Sequence, residues 1–147
     1  MPDFAPGGKE LDCQQTLLVI KPDAVRRRLV GEIIRRVEAD RFRICDVRLT
    51  HLERARAEEF YAIHQGKEFF APLVDFMTSG PVMALRLERP DAVRRLRELA
   101  GATDPKQAKP GTIRADFGTT TRENVIHASH PDENPEQEIR FYFGNHR

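Results

Sequence analysis

No apolar run in this chain approaches the ~20 residues that a membrane-spanning helix needs, so no membrane partner is expected. Cysteine occurs only as Cys13 and Cys45, with no CxxC spacing and no second pair. That suggests neither a disulfide framework nor a zinc ribbon, and a reducing, cytoplasmic setting fits best. Charge of one sign is not in excess, since 24 basic residues stand against 23 acidic ones for a net charge of +1. The balance removes any bulk attraction to nucleic acid or anionic lipid, so phosphate binding has to be local and no specific nucleic acid is expected. GxxxxGK[ST] and GxGxxG are both missing, and a phosphate site therefore has to be built from side chains. Residues 1–15, MPDFAPGGKELDCQQ, have neither a basic start nor an apolar stretch. They read as a short flexible leader without a secretory signal, ahead of a single domain over 16–147.

What is present is a regular alternation of strand and helix patterns. Thr16-Leu17-Leu18-Val19-Ile20-Lys21 is β-branched or apolar up to its lysine and is stopped by Pro22-Asp23, as in a central strand buried on both faces. Ile33, Ile34, Val37 and Phe42 form one stripe of a helix over 31–42. Residues 44–52 read as a second strand with a slip near Asp46. Helical patterns over 55–64 and 68–77 flank Gly66-Lys67. Residues 82–87 make a third strand, and Asp91 caps a helix carrying Val93, Leu96 and Leu99. The stretch 101–111, GATDPKQAKPG, is the least regular, and loops of this length in compact domains are often functional. Asn124 to Ala128 reads as a short fourth strand. Asn134-Pro135 then opens a helix with Asn134 as its cap and Ile139, Tyr142 and Phe143 as its buried face. The order β-α-β-α-α-β-α-loop-β-α predicts a ferredoxin-like α/β sandwich, a four-stranded, mainly antiparallel sheet covered by helices.

Several side chains carry chemical options. Lys21 sits at the lip of the sheet, as a phosphate ligand or as a strand-end lysine reaching for solvent. Arg97 flanks the apolar stripe of its helix and Arg114 follows the irregular loop; both guanidinium groups suit phosphate oxygens or belong to solvated surface. On strand alternation His127 shares a face with Val125, while Asn124 and Ile126 point the other way. It is a structural histidine or a nucleophile, since neutral imidazole is competent near pH 7 with a reference pKa of about 6.5. A nucleophile needs an acceptor that fixes its tautomer, and Glu138 on the following helix is placed to provide one. A metal reading of His127, His130 and Asp132 has HxxH spacing, not HExxH, and no third strong ligand.

Together these stretches resemble the nucleoside diphosphate kinase family, with the match running from about Thr16 to Phe143. IKPDAV (20–25) resembles the family's first strand and turn, and FFAPLVDFMTSGPVMAL (69–85) its central signature. ATDPKQAKPGTIRADFG (102–118) resembles its substrate loop, and NVIHAS (124–129) its active-site strand. The resemblance implies a ping-pong phosphotransferase in which Nδ1 of His127 takes the γ-phosphate of a nucleoside triphosphate, typically ATP, and passes it to a diphosphate. Lys21, Arg97, Thr103 and Arg114 match positions that hold phosphates, and Lys21 also reaches the ribose. Asn124 matches the residue at the sugar 3′-hydroxyl, and Phe69 the aromatic on which the base stacks. Tyr61 and Ser129 match residues lining the histidine, and Glu138 the carboxylate that orients it. The implied cofactor is Mg²⁺, held mainly by nucleotide phosphates rather than by protein side chains. The implied assembly is a homo-oligomer, a tetramer or hexamer built from dimers.

The chain departs from the family pattern after the histidine, where His127-Ala128-Ser129-His130-Pro131 replaces the usual HGSDS. Alanine for glycine adds a methyl beside the nucleophile and disfavours positive φ, and His130 replaces an acid. Thr121 stands where an apolar residue often touches the base. The alternative reading is a catalytically weak member acting as a nucleotide-binding or regulatory scaffold. It would keep Phe69, Arg97 and Arg114 without forming phosphohistidine.

Overall fold

Leu17, Leu18, Val19 and Ile20 are each fully shielded from solvent, because their strand runs through the inside of the sheet with helices on both faces. The computed structural model describes residues 13–144. β1 (Cys13–Ile20) pairs antiparallel with β3 (Val82–Pro90) on one side and with β4 (Ile126–Ala128) on the other. β2 (Arg43–Thr50) pairs antiparallel with β3, giving the order β2-β3-β1-β4. The register of β2 against β3 shifts between Ile44 and Asp46, the slip expected near Asp46. β1 starts three residues earlier than its pattern indicated, so Cys13, Gln14 and Gln15 belong to it. The rest of the expected leader, residues 1–12, lies outside the described residues.

Alternation along β1 divides the core into two layers. Leu18 and Ile20 face α1 (Pro22–Arg26), α2 (Val30–Ala39), α5 (Ala92–Ala100) and α6 (Ile113–Phe117), packing with Ile33, Val37, Leu96 and Ile113. Leu17 and Val19 face α3 (Arg54–Phe60), α4 (Phe70–Met77) and α7 (Pro135–Phe143), packing with Ala57, Val74, Met77 and Ile139. Burial of each such leucine, isoleucine or valine contributes about 1.5–3 kcal/mol before conformational entropy is subtracted. This is the ferredoxin-like α/β sandwich expected from the element order.

Local chemistry explains most element ends and corrects some expectations. Pro22 ends β1 but also occupies the first turn of α1, where its missing N–H costs nothing. The Asn134 side chain caps α7 by accepting the Gln137 N–H at 3.1 Å. Asp91 precedes α5 but does not cap it with its side chain. Its backbone is left-handed at φ 57° and its carboxylate binds Arg94, while Gln14 Oε1 accepts the Val93 N–H at 2.9 Å. α6 was not anticipated. It is five residues long, capped by Thr112 Oγ1 accepting the Ala115 N–H, and the neighbouring Pro and Gly hid the signal. β4 begins at Ile126 rather than Asn124, for a reason that shapes the site.

Candidate active site

Val125 has φ 68°, a value that β-branched residues strongly avoid. The Ile126 N–H donates back to the Asn124 carbonyl at 2.9 Å, closing a three-residue γ-turn around Val125. Two bonds hold the turn: the Val125 carbonyl accepts the Lys21 N–H at 2.9 Å, and Asp23 Oδ2 accepts the Val125 N–H at 3.2 Å. The turn breaks strand alternation, so Val125 and Ile126 both enter the core layer of Leu18 and Ile20. His127 does not share a face with Val125. It lies opposite Val19, on the α3/α4/α7 side, where a cleft of 1180 Å³ opens.

The His127 imidazole is held from behind. Its Nε2 lies 3.1 Å from Glu138 Oε1 on α7, and the same oxygen accepts the Ser129 hydroxyl at 2.6 Å. With a carboxylate as acceptor the proton resides on Nε2, which leaves the Nδ1 lone pair available. Ser129 is buried and holds Glu138 through this bond. Phe60 and Tyr61 stand edge-on to the imidazole with centroids at 5.3 and 6.4 Å, walling the ring into one plane.

Three cations converge on the same cleft. Lys21, Arg97 and Arg114 all line it, brought there by the end of β1, by α5 and by α6. Lys21 Nζ donates to Asn124 Oδ1 at 2.7 Å. Arg97 donates to the Ala128 carbonyl at 3.1 Å. Arg114 donates to the Ile126 and Gly101 carbonyls at 2.7 and 3.0 Å. Each of the three donates to neutral oxygens only, and among the described residues no carboxylate oxygen lies within 4.0 Å of their charged nitrogens. Burial, followed by the Arg114 charge, pulls the Lys21 pKa down to about 7, with Asp23 opposing. Burial and Arg97 pull Arg114 down to about 10. Like charges gathered out of water form a receptor for an anion. Gly101 makes the Arg114 contact possible: its φ is +89°, and a Cβ there would lie 2.5 Å from Thr112 Oγ1.

The remaining expected residues also border this cleft. Asn124 is buried and donates through Nδ2 to the Thr103 and Thr121 carbonyls, both at 2.9 Å. Thr103, Thr121 and Phe69 line the opening, and Phe69 is 44% exposed. Of the metal set considered from the sequence, His130 and Asp132 line the cleft with His127. No group of three His, Cys, Asp or Glu side chains that could hold a metal ion occurs among the described residues. Ala128 is in strand conformation, outside the positive-φ set. Its side chain joins the core with Leu18 and Ile126, so the extra methyl points away from His127.

Sequence reasoning missed Asp23, Phe60 and His64. Asp23 looked only like a strand stop beside Pro22, yet its carboxylate braces the Val125 turn. Phe60 follows a helical apolar pattern, with nothing to separate a core ring from one walling the imidazole. His64 ends the 3₁₀ turn 62–64 and lines the cleft; a lone histidine before Gln65-Gly66 gave no signal.

Known proteins of one family share this sequence pattern and fold. The sequence model of the nucleoside diphosphate kinase family matches residues 14–147. A nucleoside diphosphate kinase of Campylobacter hominis is 51% identical over 130 residues, covering 88% of this chain and 95% of that protein. The Aquifex aeolicus nucleoside diphosphate kinase structure superposes with a TM-score of 0.87 at 40% identity, over 90% of this chain and 96% of the other. The Halobacterium salinarum nucleoside diphosphate kinase in complex with CDP has the same TM-score at 42% identity, over 90% and 88%. With its fold, its walled histidine and its cation cluster in place, this chain belongs to the nucleoside diphosphate kinase family.

Proposed function

We propose that the chain transfers the γ-phosphate of a nucleoside triphosphate, typically ATP, to a nucleoside diphosphate by a ping-pong route through phosphohistidine at His127. The observation that carries this reading is the pairing of His127 Nε2 with Glu138, on the wall of a cleft that also holds Lys21, Arg97 and Arg114. The Nδ1 lone pair attacks the γ-phosphorus, and the bond from that phosphorus to the β-bridging oxygen breaks. The diphosphate leaves with the electron pair. Positive charge developing on the imidazole is shared with Glu138 through the Nε2–H. The same steps in reverse deliver the phosphoryl group to a second diphosphate, so one histidine serves both halves.

Lys21, Arg97, Thr103 and Arg114 hold the phosphates, and Lys21 reaches the ribose with Asn124, which takes its 3′-hydroxyl. Phe69 carries the base. Tyr61 and Ser129 complete the surroundings of the nucleophile and its carboxylate. Mg²⁺ is the cofactor of this reading, riding on the nucleotide phosphates and neutralising their charge. Lys21, Arg97 and Arg114 in the cleft fit a polyphosphate that carries its own metal, and they would share the neutralisation of its charge. Positioning and charge stabilisation are the main demands of phosphoryl transfer.

In this reading the chain works as a homo-oligomer, a tetramer or hexamer built from dimers. Support comes from β2, an edge strand that leaves Val47 and Leu49 45% and 60% exposed. Such an edge is ready to pair with a second copy, and Leu49→Asp would lower the mass seen by light scattering. A cytoplasmic setting fits the sparse cysteine usage. Among the described residues no helix is long and apolar enough to cross a membrane.

The deciding experiment is incubation with γ-labelled ATP and Mg²⁺. The wild-type chain takes up one acid-labile, base-stable phosphate, and His127→Ala takes up none. A wild-type chain that binds nucleotide yet stays unlabelled would instead be the scaffold reading. Labelling that survives in His127→Ala moves the nucleophile elsewhere, with His130 the first residue to examine.

A further inference from the structure

Three ring contacts run in series along the cleft wall, from His127 to the half-exposed Phe69. Tyr61 stands edge-on to His127, with centroids 6.4 Å apart and planes at 90°. His64 lies nearly parallel to Tyr61 at 6.5 Å and 23°. Phe69 tilts onto His64 at 5.1 Å and 60°. Apart from His64, the only other ring or cation contact of Phe69 among the described residues is the Lys67 ammonium, 5.6 Å from its centroid. A ring that is 44% exposed thus has a single aromatic neighbour to fix its plane. That plane matters because the base and the phosphate of one nucleotide must reach Phe69 and His127 together.

The backbone clamps His64 between the two ends. Its N–H donates to the Tyr61 carbonyl at 2.8 Å, its carbonyl accepts the Lys67 N–H at 3.1 Å, and the Phe70 N–H returns to Lys67 at 3.0 Å. The imidazole Nδ1 is buried with no hydrogen-bond partner, so on that side the ring is held by its contacts with Tyr61 and Phe69. Burial and the nearby Lys67 charge lower its pKa, which leaves a neutral, flat ring at neutral pH.

We propose that His64 is a positioning residue for the base: it fixes the plane of Phe69 against Tyr61 and His127, and so sets affinity for base-bearing nucleotides without touching phosphate. The assignment rests on the reading of Phe69 and His127 given above. It also gives a role to an imidazole on the cleft wall whose Nδ1 has no hydrogen-bond partner.

The test is single-turnover phosphorylation of the full chain over a range of concentrations of ATP and, separately, of ribose 5-triphosphate, which has no base, both with Mg²⁺. His64→Ala should raise the half-saturating ATP concentration by roughly tenfold, the scale of one lost aromatic pair, and leave the saturating rate within about twofold. Half-saturation by ribose 5-triphosphate should not change. His64→Phe keeps a flat ring and removes no hydrogen bond, so it should restore the wild-type response to ATP. A purely structural role would instead move both donors together. The assignment is overturned by an unchanged ATP response in His64→Ala, by equal losses with the two donors, or by a phenylalanine that does not restore. A wild-type chain that takes no phosphate on His127 from ATP brings down the proposed function first, and this assignment with it.

Discussion

Glu138 Oε1 lies 3.1 Å from His127 Nε2, and a carboxylate acceptor there places the neutral imidazole's proton on Nε2. One carboxylate oxygen receives both the imidazole N–H and the Ser129 hydroxyl. The orientation of the ring is therefore locked by two elements, β4 and α7, rather than by the strand alone.

Glu138→Gln should slow phosphorylation of His127 about 10- to 100-fold, the equivalent of one charge-assisted hydrogen bond of about 1.5–3 kcal/mol. Affinity for a non-hydrolysable triphosphate analogue should stay nearly unchanged, because the carboxylate acts on the nucleophile and not on the nucleotide. Arg114→Ala should lose both affinity and rate, since its guanidinium meets phosphate in both states. Stopped-flow half-reactions beside analogue titrations separate the two variants. A Glu138→Gln protein that binds poorly and transfers normally would remove the orienting role.

In the proposed reaction Lys21 should make nucleotide binding proton-linked. Its pKa in the free protein is lowered to about 7, so above that pH the amine is largely neutral. An arriving polyphosphate favours the charged form and raises the pKa again. Binding at about pH 8 should then take up close to one proton, and affinity should fall as pH rises further. Calorimetry in buffers of different ionisation enthalpy reads the uptake directly, and Lys21→Met should abolish it. The stability term has its own sign. Because the folded pKa lies below the unfolded value of 10.5, the unfolded chain binds more protons between the two values. Stability of the free protein from this group should rise with pH across that window.

Asp23 braces the turn that carries the active-site strand. Asp23→Ala would leave the buried Val125 N–H without its acceptor, at a cost of about 1–3 kcal/mol in urea unfolding. Asp23→Asn keeps an accepting oxygen and should cost less. Equal stability of the alanine variant and the wild type would show that the turn holds without this bond.

Base tolerance should be broad. Phe69 offers a stacking face, and every base has a π-face, so purine and pyrimidine diphosphates should differ by no more than about 1–3 kcal/mol in kcat/KM. Steady-state rates with a panel of diphosphates check this, and strict use of one base would contradict it.

Much of this molecule was legible in one dimension. The unbroken apolar run of β1, the Asn134 cap and the slip in β2 rest on interactions within a few residues, or on burial patterns that composition reveals directly. The ferredoxin-like order followed from them, and the resemblance to the family followed from contiguous motifs. Where Asp91, α6 and β4 departed from expectation, a tertiary contact or a short turn had overridden local propensity. Gln14 reaches α5 from another strand, and the γ-turn at Val125 is held by Asp23 and Lys21, about a hundred residues earlier in the chain. The site was decided in the same way. Lys21 and Asn124 are 103 residues apart and meet at 2.7 Å. The free nitrogen of His127, the shared anion field of three cations and the ring of His64 behind Phe69 depend on distances that only the packed sheet and helices set. Sequence by itself determined which groups were available, because side-chain chemistry and hydrophobic period are local properties. Tertiary structure alone decided their desolvation and mutual orientation, because both arise from neighbours distant in the chain.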